Sequence, residues 1–131
     1  MTTLKKLPKL NAFYQPYLQQ MQPITWPDFE KVLLVAGTIL EVHDFPQARK
    51  PAYQLTIDFG THGILRSSAQ ITKHYTKEAL IGRQVVAVIN FPEKQIANFR
   101  SQCLVTGFPD EAGDIVLTTL EQAVPNGTRL C

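Results

Sequence analysis

The sequence predicts an all-β domain, a small barrel of five principal strands with one short helix after the third strand and a C-terminal extension. Three observations predict it. Segments rich in β-branched and aromatic residues recur along the chain from Val32 onward. Glycine, proline, asparagine and aspartate separate them. A single helix signal, a threonine followed by helix formers and a glycine, interrupts the strands at 76–82.

The first three predicted strands form an antiparallel series. Val32–Val42 is a long apolar run, and Gly37 inside it indicates a bulge or bend that lets the strand curl around a barrel. Tyr53–Phe59 alternates apolar and polar residues, which is typical of a half-buried strand. Ile64–Ser67 is expected to pair back on it after the turn at 60–63.

The second half of the chain completes the pattern. A short helix begins at the N-cap Thr76 and ends at Gly82. The following run, Gln84–Asn90, is nearly all apolar and predicts a central strand buried on both faces. Further strands are predicted at Ser101–Gly107, Asp114–Thr118 and Thr128–Leu130. Five principal strands with one helix after the third are the pattern of an OB-fold, a Greek-key barrel that binds oligonucleotides.

The first 27 residues differ in composition and are interpreted as an N-terminal extension, with the OB-fold domain over residues 28–131. Pro16 fits the first turn of a short helix, which could cover a barrel end, pack on a second subunit or lie on the surface. Pro23 and Pro27 bracket Trp26, which favours an extended entry segment.

Positive charge is concentrated in the middle of the chain. Residues 44–100 carry eight Lys/Arg and four Asp/Glu, whereas residues 101–131 carry one and four. The formal net charge of the whole chain is only +2. A nearly neutral protein with a basic middle third indicates a local nucleic-acid footprint and not a uniformly basic surface.

Membrane, secreted and catalytic classes are disfavoured. No apolar run approaches the roughly 20 residues of a membrane span, and the early lysines precede no apolar signal core. Cys103 and Cys131 form no metal motif, so a reducing cytoplasm is expected. His43, His62 and His74 are scattered without ligand spacing, and no phosphate loop, nucleophile elbow or Cys–His pair is present. We therefore expect no enzyme, no metal and no cofactor.

Two polar segments before residue 71 are candidate RNA contacts. Arg49 and Lys50 lie between two prolines that stiffen their loop, so the loop could hold phosphates at little ordering cost; a generic solvated loop would look the same. The segment 66–70 offers two hydroxyls and an amide beside a guanidinium. Its serines could equally cap the following turn.

A third candidate lies at 90–94 and 100–101. An aromatic ring between cations suits base stacking combined with phosphate neutralisation. Phe91 and Phe99 could instead be core residues at strand ends.

Long blocks of this chain resemble the CsaA-type members of the tRNA-binding domain family, which also occurs appended to some methionyl- and phenylalanyl-tRNA synthetases. The blocks cover roughly residues 28–130. They are F-E-K-V…G-T-I at Phe29–Ile39, D-F-P-Q-A-R-K-P-A-Y-Q-L-T-I-D-F-G at Asp44–Gly60, S-S-A-Q-I-T-K at Ser67–Lys73, V-I-N-F-P at Val88–Pro92 and V-P-N-G-T at Val124–Thr128.

The resemblance implies an OB-fold, affinity for tRNA or other structured RNA, a homodimer, and chaperone-like contact with unfolded or exported polypeptides. We expect residues 1–27 and Val124–Leu130 to contribute to the dimer interface. Carried over by position, the RNA-facing residues are Arg49, Lys50, Ser67, Ser68, Gln70, Asn90, Lys94 and Ser101. Arg66, Lys73 and Arg100 lie beside them and complete the candidate RNA set.

The chain departs from the family pattern at two places. The family usually has D-I-R-V-G where this chain has Leu33–Gly37, so an aspartate and an arginine are replaced by apolar residues. This replacement implies weaker tRNA contact or a drier dimer interface. A glycine is usual at the position of Asn98, and asparagine tolerates a left-handed backbone.

Two functions from different classes follow. One is a dimeric tRNA-binding module. The other is a chaperone that binds polypeptides with little or no RNA binding, using apolar grooves lined by Phe45, Tyr53, Phe91 and Phe108. A tethering domain that serves a synthetase in trans is a weaker third possibility.

Overall fold

The computed structural model describes residues 21–131. The chain divides into two compact units: residues 32–131 make up one, and residues 21–31 belong to the other. The helix expected near Pro16 lies outside the described residues. The domain boundary expected after residue 27 stays a prediction.

The segment around Trp26 is helical, and the expectation of an extended entry was wrong. Helix α1 spans Trp26–Glu30. Thr25 caps it, because its hydroxyl accepts from the Asp28 N–H (3.3 Å) and the Asp28 carboxylate accepts from the Thr25 N–H (3.4 Å). Pro27 lies in the first turn, where no backbone N–H is needed.

A five-stranded sheet forms the larger unit. The strands are β1 (Leu34–Asp44), β2 (Tyr53–Asp58), β3 (Ile64–Ala69), β4 (Gln84–Val88) and β7 (Leu104–Val105). Their order in the sheet is β3-β2-β1-β4-β7, and every neighbouring pair is antiparallel. A 3-10 turn at Gly60–His62 joins β2 to β3, and helix α2 (Lys77–Leu80) precedes β4.

Two small hairpins complete the architecture. One pairs β5 (Lys94–Ile96) with β6 (Phe99–Ser101), and the other pairs β8 (Gly107–Pro109) with β9 (Ile115–Leu117). The predicted strand at Asp114–Thr118 therefore pairs locally and not with the main sheet. The sequence did not predict β5 and β6.

The two edges of the main sheet approach each other, so the barrel is nearly closed. The Gln102 N–H donates to the Arg66 carbonyl (2.7 Å), and the Gln102 side chain accepts from the Arg66 N–H (2.9 Å). One step further along, the Ser68 N–H donates to the Ser101 hydroxyl (3.1 Å). These bonds join β3 to the last residue of β6 and to Gln102, which follows it. The architecture is the OB-fold that the sequence predicts.

The main core fills the inside of this barrel. Val35, Leu55, Ile57, Phe59 and Leu80 are among the residues with no exposed surface. The alternation predicted for Tyr53–Phe59 is confirmed, since every second residue of β2 points inward. The helix prediction is also confirmed, because the Thr76 hydroxyl accepts from the Ala79 N–H (3.2 Å) and Leu80 is buried.

Gly37 lies in β1, but the bulge falls three residues later. The register with β2 shifts between Ile39 and Glu41. Gly37 is required for another reason: a Cβ at this position would lie 2.5 Å from the Phe59 ring and 2.8 Å from the Ile57 side chain. The glycine permits close packing inside the barrel and does not cause the bend.

The C-terminal segment lies along the first half of β1. Leu130 N–H donates to the Leu34 carbonyl (2.8 Å), Ala36 N–H to the Thr128 carbonyl (2.9 Å), and Gly127 N–H to the Ala36 carbonyl (2.7 Å). Within residues 21–131, this segment pairs with β1 as a β-bridge at one position, Arg129 opposite Val35. The strand predicted at Thr128–Leu130 is thus reduced to a single bridge.

Candidate nucleic-acid interface

A small second core lies apart from the barrel interior. We call it the satellite core: Phe45, Ala52 and Phe99, with Ala48 and Ile96 packed against them. The rings of Phe45 and Phe99 lie 5.4 Å apart and tilted by 53°. The satellite core joins the loop after β1 to the hairpin β5–β6.

This joining brings together cations that are distant in sequence. Arg49 and Lys50 belong to the loop that starts at Phe45, and both are exposed. Lys94 begins β5 and Arg100 is the middle residue of β6. The cation cluster consists of Arg49, Lys50, Arg66, Lys94 and Arg100. Within residues 21–131, Arg49, Lys50 and Lys94 form no ion pair.

The other two cations of the cluster are positioned by neighbours. The Arg66 guanidinium lies 4.3 Å from the centre of the Phe99 ring, in cation–π geometry, and 3.5 Å from the Gln54 side-chain oxygen. Arg100 pairs with Glu93 at 3.3 Å. This pair is exposed, so water screens it and it holds Arg100 only weakly.

A cleft of about 730 Å³ opens beside the cluster. It lies between the end of β3, the strand β5 and the strand β7. The RNA candidates that line it are Ser68, Gln70, Lys94 and Ser101, together with the aromatic candidate Phe91. Apolar residues line it as well, among them Ile71, Val105 and Ile115. Four of the candidate RNA contacts therefore converge on one surface, as the sequence indicated.

Three candidates do not join this surface as contacts. Ser67 is buried, 1% exposed, and its hydroxyl donates to the Ser68 carbonyl (3.4 Å), because the alternation of β3 points it inward. Asn90 is exposed, but its side-chain oxygen accepts from the Leu33 N–H (3.0 Å). Lys73 is exposed on the turn before α2 and does not line the cleft.

The four aromatic residues expected to line a peptide groove are not equivalent. Phe45 is 3% exposed because it belongs to the satellite core. Tyr53 is half-buried, and its hydroxyl donates to the Tyr75 carbonyl (2.8 Å). Phe91 and Phe108 are 53% and 66% exposed and are the two that face solvent. Phe45 is therefore not available to a peptide in this chain, and the apolar grooves expected of a dimer stay a prediction.

The buried thiol of Cys103 lines the cleft. Burial raises its pKa to about 12, outweighing the hydrogen bond from Ser67 that lowers it. The neutral thiol is therefore the state at physiological pH, and it contributes apolar surface to the cleft.

A titratable cluster lies elsewhere, at the turn between β8 and β9. His74 Nε2 and Asp110 Oδ2 are 2.7 Å apart, and Asp114 lies near enough for the three ligand atoms to fall within 4.8 Å of one another. The His74 hydrogen bond lowers the pKa of Asp110, and the N–H groups of Asp114 and Ala112 add to this effect. The hydrogen bonds to the N–H groups stabilise the turn.

A match to a protein-family model decides to which family this chain belongs. Residues 34–129 match the model of the family described as "Putative tRNA binding domain". The chain belongs to the tRNA-binding domain family. The matched range includes the barrel strands, the satellite core, the cleft and the docked C-terminal segment.

Two solved structures resemble this tRNA-binding domain in sequence and in fold. The chaperone CsaA from Bacillus anthracis is 47% identical with a TM-score of 0.79, over 84% of this chain and 100% of that one. The CsaA chaperone protein from Picrophilus torridus is 45% identical with a TM-score of 0.77, over 83% of this chain and 100% of that one. The resemblance to CsaA-type members and the OB-fold prediction are thereby confirmed.

Curated relatives are far longer proteins. The methionine–tRNA ligase of Methanococcus aeolicus is 32% identical over 113 residues, which are 86% of this chain and 16% of the ligase. The chain thus matches only a small part of the length of this ligase. Among the residues that the structure describes, no helix is long and apolar enough to cross a membrane.

Sequence reasoning missed several residues that shape the tRNA-binding domain's candidate site. Ile71, Val105 and Ile115 line the cleft, and their apolar side chains give no sequence signal of a ligand contact. The sequence left Phe99 open between base stacking and the core. In the structure Phe99 is buried, and the Arg66 guanidinium stacks on its ring. Its burial depends on Phe45, which is remote in sequence.

The positions that depart from the family pattern lie inward. Val35, at the place of the family's arginine, has no exposed surface, and Leu33 packs partly buried against the main core. Asn98 does not adopt the left-handed conformation; its neighbour Ala97 does, with φ of 50°. The tolerance expected of asparagine at position 98 is therefore not needed in this hairpin.

Proposed function

We propose that this chain is a homodimeric tRNA-binding protein that holds tRNA, or a similarly folded RNA, at the cation cluster and the adjoining cleft. One observation carries the proposal: the satellite core joins the cation-bearing loop after β1 to the cation-bearing β5–β6 hairpin, Arg66 of β3 stacks on its Phe99 ring, and a cleft rimmed by hydroxyl and amide groups lies beside them. Membership of the tRNA-binding domain family supports it. The compartment we propose is the cytoplasm, where tRNA and tRNA ligases work.

The charges suit phosphate binding. Arg49, Lys50 and Lys94 are exposed and make no ion pair within the described residues, so no internal bond has to break when a phosphate approaches. Each phosphate neutralised by a cation releases counterions, and affinity then falls steeply with salt. The serine and glutamine side chains at the cleft add hydrogen bonds to sugar, base or phosphate.

The test is charge reversal with a charge-matched control. A triple variant Arg49→Glu, Lys50→Glu, Lys94→Glu is compared with Lys31→Glu, Lys77→Glu, Arg83→Glu, which has the same net charge and lies outside both the cation cluster and the proposed dimer interface. We expect the first to lose tRNA binding in filter-binding assays and the second to keep it. Single reversals should reduce the slope of log affinity against log salt by about one. Equal affinity of the two triple variants would remove the cation cluster as the RNA site.

The homodimer is supported by the CsaA resemblance and by the size of the barrel. Two copies double the number of phosphates that one folded RNA can contact. We propose that residues 1–27 and Val124–Leu130 contribute to the interface. Sedimentation equilibrium at micromolar concentration should give twice the chain mass, and a species of 14.7 kDa would contradict the dimer.

A second function, binding of unfolded or exported polypeptides, has a specific observation in its favour. Phe108 and Val116 lie directly opposite each other in the β8–β9 hairpin and are 66% and 44% exposed. Leu104, on the nearby strand β7, is 51% exposed. Exposed apolar residues that cluster in this way are typical of interaction surfaces. Two solved relatives are named chaperones.

Salt separates the two functions. Apolar contact with a denatured client persists at salt concentrations that remove RNA, because screening weakens charge contacts and not apolar burial. The protein should therefore suppress aggregation of a denatured client at high salt, and the variant Phe108→Ser, Val116→Ser should do so less. Absence of suppression at both low and high salt would reject the chaperone function.

A further inference from the structure

The cleft has the size and chemistry of a site for one flat organic group. Its volume of about 730 Å³ lies within the range of small-molecule sites, roughly 300–1,000 Å³. Its walls include Ile71, Val105 and Ile115, and the neutral Cys103 thiol adds to them. Such a surface favours a ligand that has apolar faces.

Polar groups at the cleft are available for a ligand. In the part of the chain that the structure describes, the Ser68 hydroxyl, the Gln70 amide and the Lys94 ammonium have no hydrogen-bond partner. Ser101 differs, since its hydroxyl accepts from the Ser68 N–H and donates to the Cys103 carbonyl. A glutamine amide offers a donor and an acceptor side by side, which matches the edge of a nucleobase.

An aromatic ring is present at the same cleft. Phe91 is 53% exposed and follows Asn90, whose bond to the Leu33 N–H braces the start of this loop. Pro92 stiffens the next position. A half-exposed ring on a braced loop offers a stacking face at low ordering cost.

We propose that the cleft holds one unpaired nucleobase of the bound RNA, stacked on Phe91, with its polar edge on Ser68 and Gln70 and its phosphate near Lys94. This inference rests on the proposed RNA-binding function. A base in a continuous double helix is stacked on both faces and paired along its edge, so it cannot enter. Loops and bulges of a folded RNA supply bases that can. The site thus selects RNA by the presence of an unstacked base, and the cation cluster binds without such selection.

The experiment compares two RNA hairpins with the same stem and the same number of phosphates. One has a four-nucleotide loop, and the other has the same loop made of abasic nucleotides. Wild-type protein should bind the base-containing hairpin about tenfold more tightly, the size expected of one stacked base. In Phe91→Ala this preference should disappear, while binding to the abasic hairpin and its salt slope stay unchanged.

Phe108→Ala is the matched control, because it removes another exposed ring, 66% exposed against 53% for Phe91, that does not line the cleft. It should keep the tenfold preference. Gln70→Ala should reduce the preference without changing the salt slope.

Equal binding of the two hairpins by the wild type would overturn the nucleobase site and leave RNA binding intact. No binding of either hairpin would also overturn the nucleobase site, whereas no binding of tRNA in the same assay would reject the proposed function itself. If Phe91→Ala reduced suppression of client aggregation but left both hairpin affinities unchanged, the cleft would belong to polypeptides, and the nucleobase proposal would fall.

Discussion

At the scale of single residues, Gly37 depends on the space that its missing side chain leaves. A methyl group there would overlap the buried ring of Phe59 and the side chain of Ile57. Neither neighbouring atom is the far end of a flexible side chain, so the packing inside the barrel must shift. We expect Gly37→Ala to lower the free energy of unfolding by about 1–3 kcal/mol, the usual cost of overpacking. Urea denaturation measures it, and an unchanged midpoint would mean that the core rearranges easily.

The two cysteines should differ sharply in reactivity. The thiolate is the reactive form, and burial raises the pKa of Cys103 to about 12, whereas Cys131 is exposed. Near pH 8 a disulfide reagent should label the native protein once, quickly, at Cys131. The variant Cys131→Ser should react slowly until urea exposes Cys103. Fast labelling of native Cys131→Ser would show that the reagent reaches Cys103 through the cleft without unfolding.

At the scale of elements, the satellite core links stability to binding. Phe45 is buried in the satellite core and holds the cation-bearing loop against Phe99 of the β5–β6 hairpin. We expect Phe45→Ala to destabilise the protein by about 3–5 kcal/mol if the whole fold responds. If only the β5–β6 hairpin detaches, the free energy of unfolding falls by less, but the affinity for tRNA should still fall.

The comparison with an exposed ring tests this link. Phe91→Ala should leave the unfolding midpoint unchanged and alter only the preference for unpaired bases. Phe45→Ala should weaken binding to base-containing and abasic RNA alike, because it displaces the cations. Wild-type affinity in Phe45→Ala, with the variant folded, would contradict the role of the satellite core in positioning the loop.

The elements also indicate how far the sequence could be interpreted alone. Alternation in β2, the apolar run of β4 and the Thr76 cap each depend on neighbours in sequence, and each was predicted. The β5–β6 hairpin was not, because its three-residue strands show no period and its turn places Ala97 in a left-handed conformation that alanine rarely adopts. The burial of Phe45 depends on Phe99, which sequence spacing does not reveal.

The candidate site was predicted unevenly for the same reason. Ser68, Gln70, Lys94 and Ser101 were predicted from their residue types, and the structure brings them to one cleft. Ser67 was included with them and is buried, because adjacent residues of a strand point to opposite faces. Residue chemistry thus identified the candidates, and strand register decided which of them face outward.

For the fold as a whole, Asn126 links the C-terminal segment to strands β1 and β4. Its side-chain oxygen accepts from the Thr38 hydroxyl (2.7 Å) and from the Gln84 amide (3.0 Å). The same Gln84 amide donates to the Val124 carbonyl (2.7 Å). A methyl group at Gly60 would meet the Asn126 carbonyl, so the β2–β3 turn also packs on this point. The V-P-N-G-T block therefore has a structural role within one chain.

Removal of this fastening should weaken the fold and leave RNA binding unchanged. In Asn126→Ala, the part-buried Thr38 hydroxyl and one donor of Gln84 lose their acceptor, which costs about 1–3 kcal/mol. Urea unfolding should show this loss, and filter binding of tRNA well below the transition should match the wild type, because the cation cluster and the cleft lie outside these contacts. Asn98→Ala is the matched control: it changes an exposed asparagine in the β5–β6 turn and should shift stability by less than about 0.5 kcal/mol. An unfolding midpoint equal to that of the wild type would mean that water replaces the two hydrogen bonds of the Asn126 side chain without loss of stability. Should it lose tRNA binding while folded, the C-terminal segment takes part in the RNA site or in the dimer that presents it.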